Sequence, residues 1–372
     1  MAGDKTNIDS LPDDILFDIL LRIPAQDIYN STSLVCRKWY HMIHAHNFIN
    51  AHLHHSTCGL LIQNLRNITS YPNFVAMRQG RIEISKLSYK SNHRFLSSCN
   101  GLVLELDDLN RNALYITNPT TKQRSALPTF FADTTFDRAV IAYAATSMKY
   151  KVVRTFYLTN GNTDQLEQGY VEIAYAAILT VGVDKSWRCV NIEHLSLAAK
   201  ELLVNNLFTT EGFVHWAQNG NVIVSKGEPQ YVLTLNVETE IITEISVPLC
   251  HDGKLSYYLY HYFSMGSYIS LLISCNYFSF EVWEMKPETG EWTKMPDIDL
   301  EAQYRTFEPA SPLTWILVPV GWLKFQEVLV FISPWFCIAY NVCTREIDSI
   351  ELDSNYNRFL LHRNSLVWLD GC

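Results

Sequence analysis

The C-terminal two thirds of the chain repeats a strand-turn-strand element, and this repetition constrains the fold more than any other feature. From Cys58 onward, short runs of Val, Ile, Leu, Tyr, Phe and Trp alternate with Gly, Asn, Asp, Pro and Thr, a pattern typical of strands joined by turns. Each copy has an aromatic or apolar residue, a turn and a second strand. The copies align on Thr121, Lys185, Thr239, Thr289 and Thr344.

These copies are 64, 54, 50 and 55 residues apart, a period near that of the blades of a kelch-like β-propeller. The last segment, RFLLHRNSLVWL from Arg358, resembles RFLSSCNGLVLEL from Arg94, but no blade follows it. In a ring, that strand can complete the first blade and remove an exposed sheet edge. We therefore predict an all-β, propeller-like domain over 58–372, with about six blades closed by the C-terminal strand and with five or seven as alternatives. The predicted blades are 58–90 with the C-terminal strand, 93–128, 136–195, 201–248, 255–297 and 308–352.

Charge and cysteine usage argue against several other classes of protein. The 372 residues carry a formal net charge of -9, with no Lys/Arg block longer than two, whereas nucleic-acid binding depends on clustered cations. The N-terminus is polar and acidic, and no apolar run approaches a membrane span. Nine scattered cysteines without a CxxC pair predict neither a disulfide framework nor a zinc ribbon. We expect an intracellular protein, cytoplasmic or nuclear, that binds neither nucleic acid nor membranes.

The first 50 residues have the pattern of short amphipathic helices. Ser10-Leu11-Pro12-Asp13 has the form of a capping box, which predicts a helix start. Apolar residues follow on one helical stripe, and Pro24 ends the helix because it lacks an N–H group. Two more helices are predicted, over 26–31 and from 33 towards 46. Three such helices have more apolar surface than they can bury among themselves, so we expect them to dock on a partner.

The segment LPDDILFDILLRIPAQDIYNSTSLVCRKWYHMI, from Leu11, resembles the F-box in its Leu-Pro start, acidic pair, two Ile-Leu pairs and final Val-Cys-Arg-Lys-Trp. The resemblance implies a three-helix F-box over 1–50, a linker over 51–57, and binding to a Skp-type adaptor that connects to a cullin. Ile19 and Trp39 fit a role in the helical core equally well. Carried over residue by residue, the resemblance predicts twelve adaptor-binding residues: Leu11, Pro12, Ile15, Leu16, Ile19, Leu20, Pro24, Ile28, Leu34, Val35, Cys36 and Trp39.

The same region offers a metal and a thiol as alternatives. Six histidines lie from His41 to His55, followed by Cys58, but their spacing matches no recognised zinc motif. We therefore expect a solvated linker helix, with a pH-sensitive contact as a further alternative, and predict no metal or cofactor. Cys36 precedes two cationic residues, which favour a thiolate, but the sequence places no base beside it.

The region from 58 onward resembles the F-box-associated domain of a large plant family. The resemblance rests on Ser-Cys-Asn-Gly-Leu-Val from Ser98, Asn-Pro-Thr-Thr-Lys from Asn118, Phe-Val-His-Trp from Phe213 and Val-Trp-Glu-Met from Val282. It implies a substrate-recognition subunit of an SCF-type cullin-RING ubiquitin ligase, whose propeller binds an unidentified target protein while other subunits transfer ubiquitin.

The alternative is a propeller enzyme, or a binder of glycans or small molecules, with an appended helical module. The sequence contains no nucleophile elbow, phosphate-binding glycine loop or His-Glu-x-x-His motif, so we predict no catalytic residue. Large aromatic side chains dominate binding hot spots, and loops carry most binding sites. Trp335, in a predicted loop, is the weak candidate for a target contact.

Overall fold

The computed structural model describes residues 11–369, apart from 111, 131–137, 158–173, 219, 224–229, 249–256, 266, 275, 277, 305–316, 325, 334 and 353–356. In this part of the chain, a unit of short helices precedes a ring of six antiparallel sheets. The predicted helical N-terminus and six-bladed all-β domain are therefore confirmed. The predicted capping residue Ser10 lies outside the described residues. No helix among the described residues has both the length and the apolar character needed to cross a membrane.

The N-terminal unit contains more helices than the sequence pattern suggests. Pro12 and Pro24 occupy the N-caps of the first two helices, where a residue without an N–H group breaks no helical hydrogen bond. The third predicted helix is interrupted, because Cys36 is extended with φ -159° and ψ 168°. The predicted linker over 51–57 is helical as far as His55. The helices are α1 (Asp13–Leu21), α2 (Ala25–Asn30), a 3-10 turn (Thr32–Leu34), α3 (Arg37–Ile43) and α4 (His46–His55).

Each of the first three blades is a sheet of four antiparallel strands. Blade 1 contains β1 (Cys58–Asn64), β2 (Asn73–Arg78) and β3 (Arg81–Lys86), completed by β26 (Asn357–Arg363). Blade 2 contains β4 (Arg94–Cys99), β5 (Leu102–Leu106), β6 (Leu114–Asn118) and β7 (Gln123–Ala126). Blade 3 contains β8 (Arg138–Ala144), β9 (Lys149–Tyr157), β10 (Ala174–Thr180) and β11 (Arg188–Cys189).

The other three blades include one exchanged strand and two short helices, α5 (Leu197–Leu202) and α6 (Glu301–Tyr304), between them. Blade 4 contains β12 (Asn206–Thr210), β13 (Phe213–Ala217), β15 (Tyr231–Asn236) and β16 (Ile241–Ser246). Blade 5 contains β17 (Tyr257–Met265), β18 (Tyr268–Ser274), β19 (Ser279–Lys286), β20 (Glu291–Lys294) and β21 (Ile298–Asp299), and β14 (Gly220–Ile223) pairs with its β17. Blade 6 contains β22 (Val318–Lys324), β23 (Val328–Ile332), β24 (Phe336–Asn341) and β25 (Ile347–Glu351).

The C-terminal strand closes the ring, as the sequence predicts. β26 pairs with β1 in antiparallel register from Cys58 opposite Arg363 to Asn64 opposite Asn357. The inner strands β26, β4, β8, β12, β17 and β22 contact one another in succession around the channel. A buried apolar cluster lies between every pair of neighbouring blades, including the closing pair, where Leu60 and Val330 share a core. Burial of these clusters is the main force that holds the blades together.

The sequence repeat corresponds to one recurring turn between the last two strands of a blade. In blades 2, 4 and 6 the side chains of Asn118, Asn236 and Asn341 accept hydrogen bonds from backbone N–H groups two and three residues later, a property of Asn in turns. Four residues beyond each Asn, the backbone has a positive φ of 58–60°. In blade 5, Gly290 takes that conformation. The copies therefore share a turn geometry that Asn favours and glycine tolerates.

Candidate partner-binding surfaces

The fold divides the twelve predicted adaptor-binding residues into an exposed set and a buried set. The exposed side chains include Ile15 at 46%, Ile19 at 44%, Leu34 at 78% and Val35 at 55% of full accessibility. Pro12 and Pro24 are also exposed, and Leu11 and Cys36 are half-buried. The remaining four, Leu16, Leu20, Ile28 and Trp39, are buried in the core of the helical unit.

Helical periodicity explains this division within α1. Ile15 and Ile19 lie four residues apart and share one face, whereas Leu16 and Leu20 share the face turned about 100° from it. The second face packs with Ile43 and Phe48 of α3 and α4. The first face has no such cover among the described residues, so α1 has one apolar face in the core and one in solvent.

An ion pair brings the two exposed segments of the unit together. Lys38 Nζ in α3 lies 2.5 Å from Asp13 Oδ1 at the start of α1. Pro12 directly precedes α1, and Val35 lies two residues before α3, so the Leu-Pro start and the Leu34-Val35 segment lie at the same end of the unit. We name this surface, formed by Pro12, Ile15, Ile19, Leu34 and Val35, the apolar helical face.

The histidine-rich junction differs from the predicted solvated helix at one position. His52 in α4 is buried, and its Nε2 lies 2.9 Å from the carbonyl oxygen of Ile23. Burial lowers the pKa of His52 below its ordinary value, because a charged imidazole is poorly solvated there. His41, His44, His46, His54 and His55 are exposed. Among the described residues, no group of three or more His, Cys, Asp or Glu side chains is placed to hold a metal ion.

The helical unit is packed onto the ring through the C-terminal tail. Leu366 lies in the core of the helical unit, and the tail around it is held by Asn118, whose Nδ2 donates to the carbonyl oxygens of Ser365 at 3.0 Å and Val367 at 2.8 Å. Ser365 Oγ also donates to the carbonyl oxygen of Asn100, in the turn that follows β4. The tail therefore meets the helical core beside the C-terminal ends of β26 and β4.

The opposite end of the channel is formed by the starts of the inner strands. Arg94 begins β4, Arg138 begins β8, Asn206 begins β12, and Arg358 is the second residue of β26. All four line one cavity of about 320 Å³. We name this end of the channel the arginine mouth. β26 has seven residues, so its two ends lie roughly 20 Å apart at about 3.3 Å per residue.

Trp335, which the sequence predicts as a candidate target contact, lies at this end of the ring, and the arginines were not among the predicted residues. Trp335 lies in the turn between β23 and β24, with 51% of its surface exposed. This turn lies at the same end of blade 6 as the start of β22, because β22 and β23 are antiparallel. One sequence feature could have indicated two of the arginines. Arg94 and Arg358 both precede Phe-Leu, in the two similar segments from which ring closure is predicted.

Known families match both parts of the chain. The F-box domain matches residues 8–50, and the F-box associated beta propeller domain matches residues 52–362. F-box protein At3g07870 of Arabidopsis thaliana is 24% identical over 309 residues, which cover 77% of this chain and 71% of the relative. F-box protein At5g49610 of the same plant is 21% identical over 315 residues, which cover 78% and 79%.

Solved structures resemble the chain more distantly. An oligogalacturonate lyase in complex with manganese has 8% identity and a TM-score of 0.43, covering 78% of this chain and 77% of that one. The periplasmic gluconolactonase PpgL of Pseudomonas aeruginosa has 10% identity and a TM-score of 0.40, covering 82% and 99%. Likenesses of this size carry no argument about activity.

The fold defines a class of protein, a β-propeller with an N-terminal helical unit. The chain belongs to the family of F-box proteins that carry an F-box associated beta propeller domain, as the resemblance of its sequence predicted.

Proposed function

We propose that this chain is the substrate-recognition subunit of an SCF-type cullin-RING ubiquitin ligase. Its helical unit binds a Skp-type adaptor, which connects it to a cullin, and its propeller holds a target protein. Ubiquitin transfer is performed by other subunits. F-box domains generally bind such adaptors, and the F-box match over residues 8–50 supports this role.

The observation that carries the proposal is the apolar helical face. Ile15, Ile19, Leu34 and Val35 leave between 44% and 78% of their surfaces in water. Contiguous exposed apolar surface on a small unit is typical of a protein-binding site. The face contains five of the twelve positions that the F-box resemblance assigns to the adaptor.

The attachment of the helical unit to the ring supports a role as a rigid connector. Leu366 anchors the tail in the helical core, and Asn118 ties the tail to blade 2. An adaptor bound to the apolar helical face would therefore hold the propeller in a defined orientation. The arginine mouth and Trp335 lie at the end of the inner strands away from the tail, so a target held there would not compete with the adaptor for the same surface.

Adaptor binding is tested with a double substitution on the apolar helical face, Leu34→Asp with Val35→Asp. Both side chains are exposed, so the full chain is expected to keep its circular dichroism spectrum and melting temperature. Hot-spot residues contribute at least about 2 kcal/mol each to binding, so affinity for the purified adaptor, measured by calorimetry, should fall at least ~30-fold. Unchanged affinity would contradict the proposal.

The matched control is Met148→Asp in the turn between β8 and β9. Met148 is about as exposed as Leu34 and lies on the ring. Combined with Leu109→Asp, at a second exposed ring position, Met148→Asp makes the same change in charge away from the helices. The control should bind the adaptor like the parent chain. If it loses as much affinity, a general effect of negative charge explains the result.

Target recruitment is tested in cells with the adaptor-binding variant as a trap. Proximity labelling with that variant should enrich proteins whose half-lives lengthen when the parent chain is removed. Trp335→Ala in the trap background should weaken the labelling of those proteins. Targets whose half-lives do not change on removal of the chain would instead indicate a binding protein outside a ligase.

A further inference from the structure

The cavity at the arginine mouth concentrates positive charge in an acidic protein. Its lining contains the three arginines Arg94, Arg138 and Arg358, from blades 2, 3 and 1, with Asn206 from blade 4. The other lining residues in the described part of the chain, Leu96, Ala139 and Leu207, are apolar. The chain as a whole has a formal net charge of -9, so this cluster opposes the overall charge.

The ring topology explains why residues distant in sequence meet there. Arg94 and Arg358 are 264 positions apart, but the starts of all inner strands gather at one end of the channel. Each arginine is held by its strand backbone and by further contacts. Arg94 Nε lies 3.3 Å from Asp108 Oδ1, and Arg358 Nη2 donates to the carbonyl oxygen of Leu96 at 3.3 Å.

Arg358 lies close enough to Arg94 and Arg138 for the three positive charges to affect one another. Burial, together with the neighbouring Arg94 and Arg138, lowers the pKa of Arg358 to about 10 despite the opposing effect of Asp108. Burial also lowers the pKa of Arg138. Asp108, which forms an ion pair with Arg94, is itself 41% exposed. Burial and the neighbouring guanidinium groups therefore both disfavour the charged form of Arg358.

Guanidinium groups match the oxygens of a phosphate, because their planar N–H donors form paired hydrogen bonds with it. A cavity of about 320 Å³ is at the small end of the range for ligand sites, roughly 300–1,000 Å³. It can admit a phosphoryl group with a few attached atoms. Asn206 adds a neutral amide that can donate to the same group.

We propose that the arginine mouth is a binding site for a phosphate monoester, held by Arg94, Arg138 and Arg358. The inference rests on the proposed function in one respect: a phosphorylated segment of a target protein would place its phosphate in this cavity while its flanking residues reach Trp335. A phosphorylated small molecule carries the same chemistry, and the experiment separates the two sources.

The probes are inorganic phosphate, O-phosphoserine, and a degenerate phosphoserine peptide library with its serine counterpart. Binding to the full chain is followed by calorimetry at constant ionic strength. Saturable binding of phosphate is expected, with an affinity at least ~10-fold lower in Arg358→Gln and in Arg94→Gln, since each loses a charged donor. Arg81→Gln, on the exposed edge of blade 1, makes the same charge change and should bind like the parent chain.

Binding to the peptide library at least ~10-fold tighter than to O-phosphoserine assigns the site to a protein segment. Equal affinities for the two assign it to a small phosphorylated molecule. The proposal is overturned if phosphate does not bind saturably, if the serine library binds equally well, or if Arg81→Gln loses as much affinity as Arg358→Gln.

Adaptor binding and melting temperature are measured on the same preparations. The arginine variants should keep both, so a loss of phosphate binding is assigned to the cavity. Conversely, the Leu34 and Val35 double variant should still bind phosphate, so failure of the proposed function is distinguishable from failure of the phosphate site.

Discussion

His362 Nδ1 lies 2.8 Å from Ser98 Oγ, in a hydrogen bond that joins the last strand of the chain to the first strand of blade 2 across 264 residues of sequence. His362 is fully buried, which lowers its pKa to about 4, because the interior solvates imidazolium poorly. The ring is therefore held by a histidine that stays neutral at physiological pH.

This pair predicts a loss of stability in mild acid. An unfolded histidine has a pKa near 6.5, so between pH 6.5 and about 4 the unfolded chain binds a proton that folded His362 does not. The free energy of unfolding should fall over this window as pH falls, by up to about 1.4 kcal/mol per pH unit for this residue.

Urea unfolding of His362→Gln from pH 7 to 4.5 should show a shallower decline in the free energy of unfolding than the parent chain. Ser98→Ala, which removes the hydrogen bond but not the titrating group, should run parallel to the parent curve; a parallel curve for His362→Gln would exclude this origin.

Two glycines with similar backbones test the contact between the tail and blade 2. Gly101 and Gly80 have φ of 85° and 82°, so alanine costs about 1 kcal/mol of backbone strain at each. At Gly101 a Cβ would also overlap Ser365 Oγ and lie 2.7 Å from the carbonyl oxygen of Arg363, whereas at Gly80 it would meet nothing within 4 Å. Gly101→Ala should lower the free energy of unfolding by about 1–3 kcal/mol more than Gly80→Ala. If urea unfolding shows that both variants lose the same free energy of unfolding, the tail moves away from the new Cβ atom at no cost in stability.

A charged network should hold blades 3 and 4 together. Glu240 Oε1 accepts from Lys151 Nζ at 2.9 Å, and both its oxygens accept from Arg188. The pKa of Glu240 is lowered to about 2, and the hydrogen bond with Arg188 is the main cause. Glu240→Gln should cost about 2 kcal/mol, because it leaves the buried Lys151 ammonium without its carboxylate. Adding Lys151→Met should restore part of the loss in a double-mutant cycle; strictly additive losses would show that the two residues are not coupled.

Adjacent residues of α1 should have opposite phenotypes. Leu20→Ala empties a fully buried site and should destabilise the helical unit by about 2–5 kcal/mol. Ile19→Ala truncates an exposed side chain and should change stability by no more than about 0.5 kcal/mol, while weakening adaptor binding. Hydrogen exchange of the α1 amides and calorimetry with the adaptor separate the two effects. A destabilised Ile19→Ala would place that residue in the core.

The number of blades could be predicted from sequence because its signals are local. The turns at Asn118, Asn236 and Asn341 are built from side-chain to backbone hydrogen bonds within three residues. Each of these turns can therefore be recognised from a few neighbouring residues in the sequence. Blade 3 lacks this Asn turn, and its copy around Lys185 is the weak one. The crossing of β14 to blade 5 could not be predicted, since strand pairing between blades depends on distant neighbours.

The sequence by itself determined the type and order of the elements: a helix after Pro12, strands with a period near 55, and a last strand without a blade of its own. Only the tertiary structure decided which apolar residues of the helical unit face solvent, because Leu20 and Ile19 differ in what packs against them and not in chemistry. It also brought Arg94, Arg138 and Arg358 to one cavity. Periodicity acts over a few residues, whereas exposure and charge clustering depend on parts of the chain that meet only when the ring closes.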